Sequence, residues 1–122
     1  MDNKKSDKLE EVLRLSVLYD FYGELLGEAK KQIFEDYVFN DFSLSEIAEE
    51  TGISRQGVHD TVKRCTAKLN EYEDKLHLVE KFEFARQRVN EIKNISAVMH
   101  DNGTIEGIDD IVRISEEILN EL

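Results

Sequence analysis

The sequence predicts an all-α protein, a helical bundle that contains a helix-turn-helix and continues into a long C-terminal helical extension. Three observations predict this class. The 122 residues include no proline. Apolar residues recur at steps of three and four along most of the chain, which is the period of an amphipathic helix. The segment 43–69 also carries the caps, the glycine and the apolar positions of two helices joined by a tight turn.

The length of 122 residues is typical of one domain with its own core. We expect a single all-helical domain over residues 1–122, with the helix-turn-helix core at 28–69 and the helical extension at 70–122. No segment reaches the roughly 18 apolar residues of a membrane helix. The charged N-terminus lacks the apolar run of a signal peptide, and one cysteine cannot form an internal disulfide. The expected location is therefore the cytoplasm.

Two helices are predicted before the motif. The first runs from about Asp7 to Leu26, and Gly27 separates it from a second helix over Glu28 to about Val38. The spacing of aromatic and aliphatic residues predicts that most of them pack in the core. The apolar stripe of the first helix consists of Leu9, Val12, Leu13, Val17, Leu18, Phe21, Tyr22, Leu25 and Leu26.

The helix-turn-helix is predicted from the residues that begin and end its two helices. Ser43 can cap a first helix, and Glu46 three residues later completes a capping box. Gly52 stands where a tight turn needs a left-handed residue. Ile53 is expected to fill the corner between the helices, and Ser54 to cap the second helix. The residues that recur at helical spacing to bury the second helix are Val58, Val62, Cys65 and Leu69.

The pattern from Ser54 to about His100 predicts either one very long helix or two helices. Apolar steps of three and four residues continue from Ser54 to about His100 without a proline. Because helices of this length are uncommon in compact domains, we expect a break near 77–81, a homodimer, or both. A turn at 101–103 should precede a last helix over about 104–122.

The charge distribution separates the second helix of the motif from the rest of the chain. The net charge is −11, which argues against general attraction to nucleic acid. Residues 1–42 have a net charge of −4 and residues 70–122 of −7, whereas residues 43–69 are neutral. The second helix contains four basic residues and one acidic residue. Such an acidic body could also favour a basic protein partner.

Packing leaves six positions of the second helix free, and Ser54 can offer its hydroxyl and the helix N-terminus to a phosphate. These six positions are Arg55, Gln56, His59, Asp60, Lys63 and Arg64. In a helix-turn-helix that reads DNA, the first turns of this helix enter the major groove, where Arg and Gln read base edges and Lys and Arg hold phosphates. The alternative is a solvated face on a domain that contacts only protein, and the sequence leaves both open. The candidate nucleic-acid-binding residues are Ser54, Arg55, Gln56, His59, Lys63 and Arg64.

The sequence contains little that predicts catalysis, and we expect no enzyme activity, cofactor or metal. Phosphate-binding glycine loops, metal-type cysteine clusters and nucleophile motifs are missing from the pattern. Cys65 lies on the buried stripe and reads as a core thiol. Asp74 and His77 could share a helix face, but a pair supplies too few ligands. Gly57 is interpreted as a tolerated surface glycine, with close approach of a ligand or neighbouring helix as the alternative.

Two family resemblances follow from these residues. The segment SLSEIAEETGISRQGV is similar to the helix-turn-helix of region 4 of bacterial sigma factors, a winged-helix-type motif without the wing. A longer resemblance, from YDFYGELL at 19–26 to VHDTVKRCTAKLNEYEDKLHL at 58–78, is to the YlxM (p13-like) family of small bacterial helix-turn-helix proteins. The positions that match the nucleic-acid-contacting face of sigma region 4 are Arg55, Gln56, His59, Lys63 and Arg64.

The YlxM resemblance implies an all-helical accessory or regulatory protein of the signal recognition particle pathway. Its expected partners are the RNA of that particle, its GTPase, or both. The alternative function is that of a transcriptional regulator that binds duplex DNA through the same helix. In either case we expect a homodimer that does not associate with membranes.

Overall fold

The computed structural model describes residues 2–122, with side chains from Lys4 onward. These residues form helices and turns and include no strand, so the predicted all-α class is confirmed. Within this range, no helix is both long and apolar enough to cross a membrane. The helices are α1 (Asp2–Tyr22), a 3-10 turn (Gly23–Leu26), α2 (Glu28–Val38), α3 (Leu44–Thr51), α4 (Arg55–Leu76), α5 (Leu78–Asn102) and α6 (Ile108–Glu121).

The chain divides into two compact units, of which the first ends at His77 and the second is Leu78–Leu122. His77 adopts a left-handed conformation with φ of 55°, and its N–H donates to the Glu73 carbonyl at 2.9 Å. This conformation ends α4, because a left-handed residue cannot continue a right-handed helix. The predicted break within 77–81 is therefore confirmed. That the whole chain behaves as one domain stays a prediction.

An aromatic core joins the helices of the first unit. The Phe34 ring is fully buried and stacks on Tyr19 with 5.7 Å between ring centroids, while Phe39 meets it edge-on at 5.8 Å. The Tyr22 hydroxyl donates to the carboxylate of Glu73, which ties α1 to α4. The other buried apolar residues of this unit are Leu15, Leu18, Leu26, Ile33, Ile47, Val58, Val62, Cys65 and Leu69.

The first helix differs from its prediction in length and in its buried face. It is already helical at Asp2 and gives way to the 3-10 turn after Tyr22, so a single helix to Leu26 was wrong. Residues 4–11 are all exposed, which places this part of α1 outside the core of its unit. About half of the predicted stripe faces solvent, from Leu9, which is 61% exposed, to Leu25, which is 57% exposed. Leu15, which the stripe did not include, is buried.

The second unit is an antiparallel hairpin of α5 and α6. Gly103, with φ of 63°, ends α5, and residues 104–107 form the connection. The predicted start of the last helix at about 104 was therefore too early, and α6 begins at Ile108. Gly107 lies against α5, since a Cβ atom there would come within 2.4 Å of Ile95. Among the apolar side chains of this unit, Ile114 is the buried one.

Candidate nucleic-acid interface

The first helix of the motif is held by a complete capping box. The Ser43 hydroxyl accepts from the Glu46 N–H at 3.0 Å, and the Glu46 carboxylate accepts from the Ser43 N–H at 3.3 Å. At the other end, Gly52 has φ of 76° and its N–H donates to the Ala48 carbonyl at 2.9 Å. Both features were predicted, and together they fix where α3 stops and the chain turns.

The second helix of the motif starts at the predicted cap. The Ser54 hydroxyl accepts from the Gly57 N–H at 3.0 Å, which satisfies one of the free donors at the helix start. Val58, the first residue of the buried stripe, is fully covered. Because the stripe that it begins is buried as predicted, the opposite side of α4 must face solvent.

Ile53 does not fill the corner between the helices as expected, because its side chain remains 40% exposed. It lies instead over the first turn of α4, where its Cγ2 atom would be 2.6 Å from a Cβ atom at position 57. The atoms nearest to a Cβ at position 57 thus belong to Ile53 and Ser54 and not to a neighbouring helix. The Ile-x-x-x-Gly spacing was visible in the sequence and could have suggested this contact.

Three of the candidate side chains form a row along the exposed face of α4. Arg55, His59 and Lys63 are spaced four residues apart, so they lie on successive turns of one side, and all are exposed. Gln56 lies beside this row and donates to Asp60 at 3.0 Å. The only acidic side chain of α4 next to the row is thus Asp60, which also lies 3.8 Å from His59 Nδ1. A shallow cleft between α3 and α4 is lined by Leu44, Arg55, Gln56 and His59.

The structure places Arg64 on a different side of α4. It follows Arg55 by nine residues, which is two and a half turns, so the two side chains point in opposite directions. Arg64, Lys30 and Lys68 border a groove between α2 and α4, with a volume of about 360 Å³. The predicted six-residue face therefore consists of five residues, Ser54 included, and Arg64 belongs to a second basic surface. The apolar residues that line this groove include Leu25, Leu26, Cys65 and Tyr72.

Lys30 and Lys68 were not among the candidates from the sequence. Lys68 follows Arg64 by four residues, and this spacing alone would have placed both on one side of a helix. Lys30 belongs to α2, and only the packing of α2 on α4 brings it to this groove. The Cys65 thiol lies 3.9 Å from the Lys30 carbonyl and marks that contact.

The free positive charges of residues 28–77 are concentrated on the motif. Within this part of the described chain, Lys31 pairs with Glu24 at 2.6 Å, while Lys68 and Lys75 both pair with Glu71. The other four bases have no acidic group within the 4.0 Å limit of an ion pair among the described residues. These four unpaired bases are Lys30, Arg55, Lys63 and Arg64. Unpaired cations attract phosphate more strongly than those already neutralised by a neighbouring carboxylate.

Other chemistry is weakly represented in the described residues. Burial raises the pKa of the Cys65 thiol, and the nearby Lys30 charge opposes that shift. A thiol of this kind is a poor nucleophile at neutral pH. Between Lys4 and Leu122, no three His, Cys, Asp or Glu side chains are grouped so that they could hold a metal ion.

Comparison with known proteins gives a family of the same architecture. Residues 9–111 match a family model described as "Putative helix-turn-helix protein, YlxM / p13 like". A relative from Thermoanaerobacter sp. (strain X514) is 40% identical over 113 residues, which cover 93% of this chain and 94% of the relative. The YlxM protein of Bacillus subtilis (strain 168) is 43% identical over 89 residues, covering 73% of this chain and 81% of its own. No solved structure gives a significant match.

Proposed function

This chain belongs to the YlxM/p13-like family of helix-turn-helix proteins, and from that premise we propose its function. We propose that it is a non-enzymatic accessory protein of the signal recognition particle pathway. In this proposal the protein binds the RNA of that particle through α4, and it also contacts the GTPase of the particle. The single observation that carries the nucleic-acid part is the exposed row of Arg55, His59 and Lys63, in which both strong bases lack an acidic partner among the described residues.

Each residue of this surface has a defined chemical role in the proposal. Arg55 can bind a phosphate or a guanine edge through two parallel hydrogen bonds, and Lys63 acts as a point charge two turns further on. Gln56 offers both a donor and an acceptor to a base edge. The capped start of α4 at Ser54 contributes the positive end of the helix dipole, which favours a phosphate. His59 lies between the two bases and can stack on an unpaired base.

The acidic body determines how large the contact is. A chain with a net charge of −11 repels phosphates that lie beyond the motif. The nucleic acid must therefore touch a short surface, and affinity from this surface alone should be modest. A protein already bound to the same RNA would supply the missing contacts. This supports a ternary arrangement with the particle's GTPase, which the family resemblance names as the partner.

Duplex DNA is the second candidate ligand, and one observation favours it. Arg55 and Gln56 stand in the first turn of α4, next to the cleft shared with α3. In helix-turn-helix proteins that read promoters, this turn enters the major groove and Arg and Gln recognise guanine and adenine. A regulator of this kind would bind duplex DNA without any protein partner.

Fluorescence anisotropy with labelled signal recognition particle RNA and with a labelled duplex separates the two ligands. The Arg55→Ala and Lys63→Ala double variant should weaken RNA binding about 10- to 100-fold. The slope of log K against log salt should become shallower by about 1.4, because about 0.7 is lost for each single-strand phosphate contact. Lys75→Ala is the matched control on the same helix, since that base is already paired with Glu71. It should leave both quantities unchanged.

A pull-down from cell lysate with the full chain as bait tests the pathway. The retained RNA is sequenced and the retained proteins are identified, with the double variant run in parallel. We expect the particle's RNA and its GTPase in the wild-type eluate and a loss of the RNA with the variant. Recovery of neither from the wild type would reject the accessory role, while absence of duplex binding at low salt would reject the regulator.

A further inference from the structure

An exposed apolar face runs along the hairpin of the second unit. On α6, Ile108, Val112 and Leu119 are separated by four and seven residues, so they lie on one side of the helix. Their exposed fractions are 48%, 52% and 70%, and Leu122 continues the row with 78%. Exposure of this many large side chains in a row is unusual for a surface without a partner. We call these four residues and Val89 of α5 the hairpin face.

Val89 joins the face from the neighbouring helix. The ion pair between Arg88 Nε and Glu117, at 3.3 Å, fixes the antiparallel register and brings this part of α5 level with the second half of α6. Val89 is 53% exposed. Helical spacing places it about a quarter turn from the α5 residues that pack on α6, on the same side as the exposed row. Val98, which is 58% exposed, lies about half a turn away from Val89, on the opposite side of the hairpin.

The hairpin has little core of its own. Ile114 is its buried apolar residue, and a pair of helices with so small a core rarely supplies enough hydrophobic stabilisation by itself. These five exposed side chains present roughly 500 Å² of apolar surface, so two copies would cover about 1,000 Å² before polar edges are counted, which is about the minimum for a specific interface.

The charges along this face are complementary to themselves. The α5 edge carries Arg86 and Lys93, and the α6 edge carries Asp109 and Glu116. Among the described residues, these four have no ion-pair partner within 4.0 Å, whereas Arg88 and Arg113 both pair with Glu117. An interface with twofold symmetry brings each surface against a second copy of itself. When the twofold axis runs parallel to the helices, the basic edge of α5 lies against the acidic edge of α6 in the partner, twice.

From the apolar face and its charges, we infer that the hairpin is the dimerisation surface of this protein. Two copies associate face to face, with α5 of one against α6 of the other. A partner of uniform charge, such as a basic or an acidic protein, would meet a repulsive edge on one of the two helices. A second copy of this chain meets attraction on both. The dimer carries two helix-turn-helix motifs and forms without nucleic acid, so this inference stands apart from the proposed function.

Sedimentation of the full chain without nucleic acid, from micromolar concentration to about 100 µM, tests the dimer. The wild type should reach twice the chain mass of 14.2 kDa. Val112→Glu should raise the dimer dissociation constant at least about 100-fold, because a charge would be buried in the interface. Val98→Glu is the matched control, with the same change at similar exposure on the opposite side, and should have no effect. Circular dichroism verifies that both variants retain their helices.

Charge-reversal variants of the two edges test whether the partner is a second copy of this chain. An Arg86→Glu and Lys93→Glu variant has two acidic edges, and an Asp109→Lys and Glu116→Lys variant has two basic edges. Each should dimerise about tenfold more weakly alone, whereas a mixture of the two should give a heterodimer by native mass spectrometry. These positions are exposed, so the variants should fold even if Val112→Glu does not. A wild type that stays monomeric, equal effects at positions 98 and 112, or no heterodimer in the mixture would overturn the inference.

Discussion

The two units of this protein bury very different amounts of apolar surface. Among the described residues, eleven of the twelve buried apolar side chains belong to the first unit, although that unit has fewer than twice the residues of the second. In the first unit, α2 and α4 enclose an aromatic cluster around Phe34. In the second, α5 and α6 enclose Ile114 and leave most of their large apolar side chains partly exposed.

This difference teaches how each unit holds its functional surface. The helix-turn-helix stands on a packed core and on side-chain caps at Ser43 and Ser54, so the positions of Arg55 and Lys63 are fixed before any ligand binds. Preorganisation of this kind lowers the entropic cost of binding. In the hairpin, the residue that caps the start of α6 is Gly107, which makes no side-chain hydrogen bond to the helix. In the dimer that we infer, association would cover the open face of the hairpin.

The largest expected effect is on the free energy of unfolding, and it tests whether the first unit has the larger hydrophobic core. Phe34→Ala removes a fully buried ring that contacts Tyr19 and Phe39, and it should lower the free energy of unfolding by about 3–5 kcal/mol. Phe84→Ala in the hairpin removes a half-buried ring that makes a cation–π interaction with Arg88 at 5.0 Å. It should cost only about 1–2 kcal/mol.

Urea denaturation followed by circular dichroism measures both changes. If the chain unfolds as the single domain expected from its length, both variants will shift one common transition. If the units unfold separately, Phe34→Ala will move only one of two transitions. Equal costs for the two variants would show that the contrast in burial does not govern stability.

Replacing one glycine in each unit by alanine should have smaller effects on stability, and the two effects should differ. At position 107 an added Cβ would lie 2.4 Å from Ile95 Cγ2 and 3.1 Å from Met99 Sδ, so Gly107→Ala should cost about 1–3 kcal/mol. At position 57 it would meet the exposed Ile53 side chain, which can move. The helix propensity of alanine, worth about 1 kcal/mol over glycine, should offset that displacement and leave Gly57→Ala nearly neutral.

Thermal unfolding monitored by circular dichroism distinguishes these glycine variants. The melting temperature should fall clearly for Gly107→Ala and by no more than a degree or two for Gly57→Ala, given the several degrees per kcal/mol of a domain this size. A large loss at position 57 would mean that Ile53 is held more firmly than its exposure indicates.

The smallest effect concerns the Cys65 thiol, which reports on the closure of the first unit. Burial raises its pKa above the ordinary value, and the positive charge of Lys30 acts in the opposite direction. The thiolate therefore forms in the folded protein only at higher pH than in the unfolded chain. Folding stability from this group is complete below the unfolded pKa and is lost as pH rises through the folded one.

Alkylation with iodoacetamide measures this shift. At pH 8 the folded protein should react at least about tenfold more slowly than the urea-unfolded protein, and the rate should keep rising above pH 9. Lys30→Glu should slow the reaction further, because it replaces a charge that stabilises the thiolate. A rate equal to that of the unfolded chain would show that the α2–α4 contact opens readily.

The sequence predicted the features that depend on neighbouring residues. The capping box at Ser43, the left-handed Gly52 and the cap at Ser54 each use contacts within four residues, so local chemistry was sufficient to locate α3 and the start of α4. The exposed row of Arg55, His59 and Lys63 also followed from helical period alone. The placement of Arg64 on another side could have been derived from the same period.

Other features depend on contacts between distant segments. Apolar spacing predicted a wide stripe on α1, but only the packing of α2 and α4 decided that Leu15 is buried while Leu9 remains exposed. Lys30 joined a basic groove because α2 lies against α4 in space. The last helix was predicted to begin at about residue 104, but α6 begins at Ile108, because Gly107 must fit against α5.

Helical periodicity, the helix caps and the turn glycine therefore determined that this chain is all-helical, that a helix-turn-helix occupies its middle, and which side of α4 is exposed. The tertiary structure decided which apolar residues form a core and which form the hairpin face. The physical reason is that a helix specifies the relative directions of its own side chains through local hydrogen bonds. Which direction loses its water is determined by the other helices that pack against it.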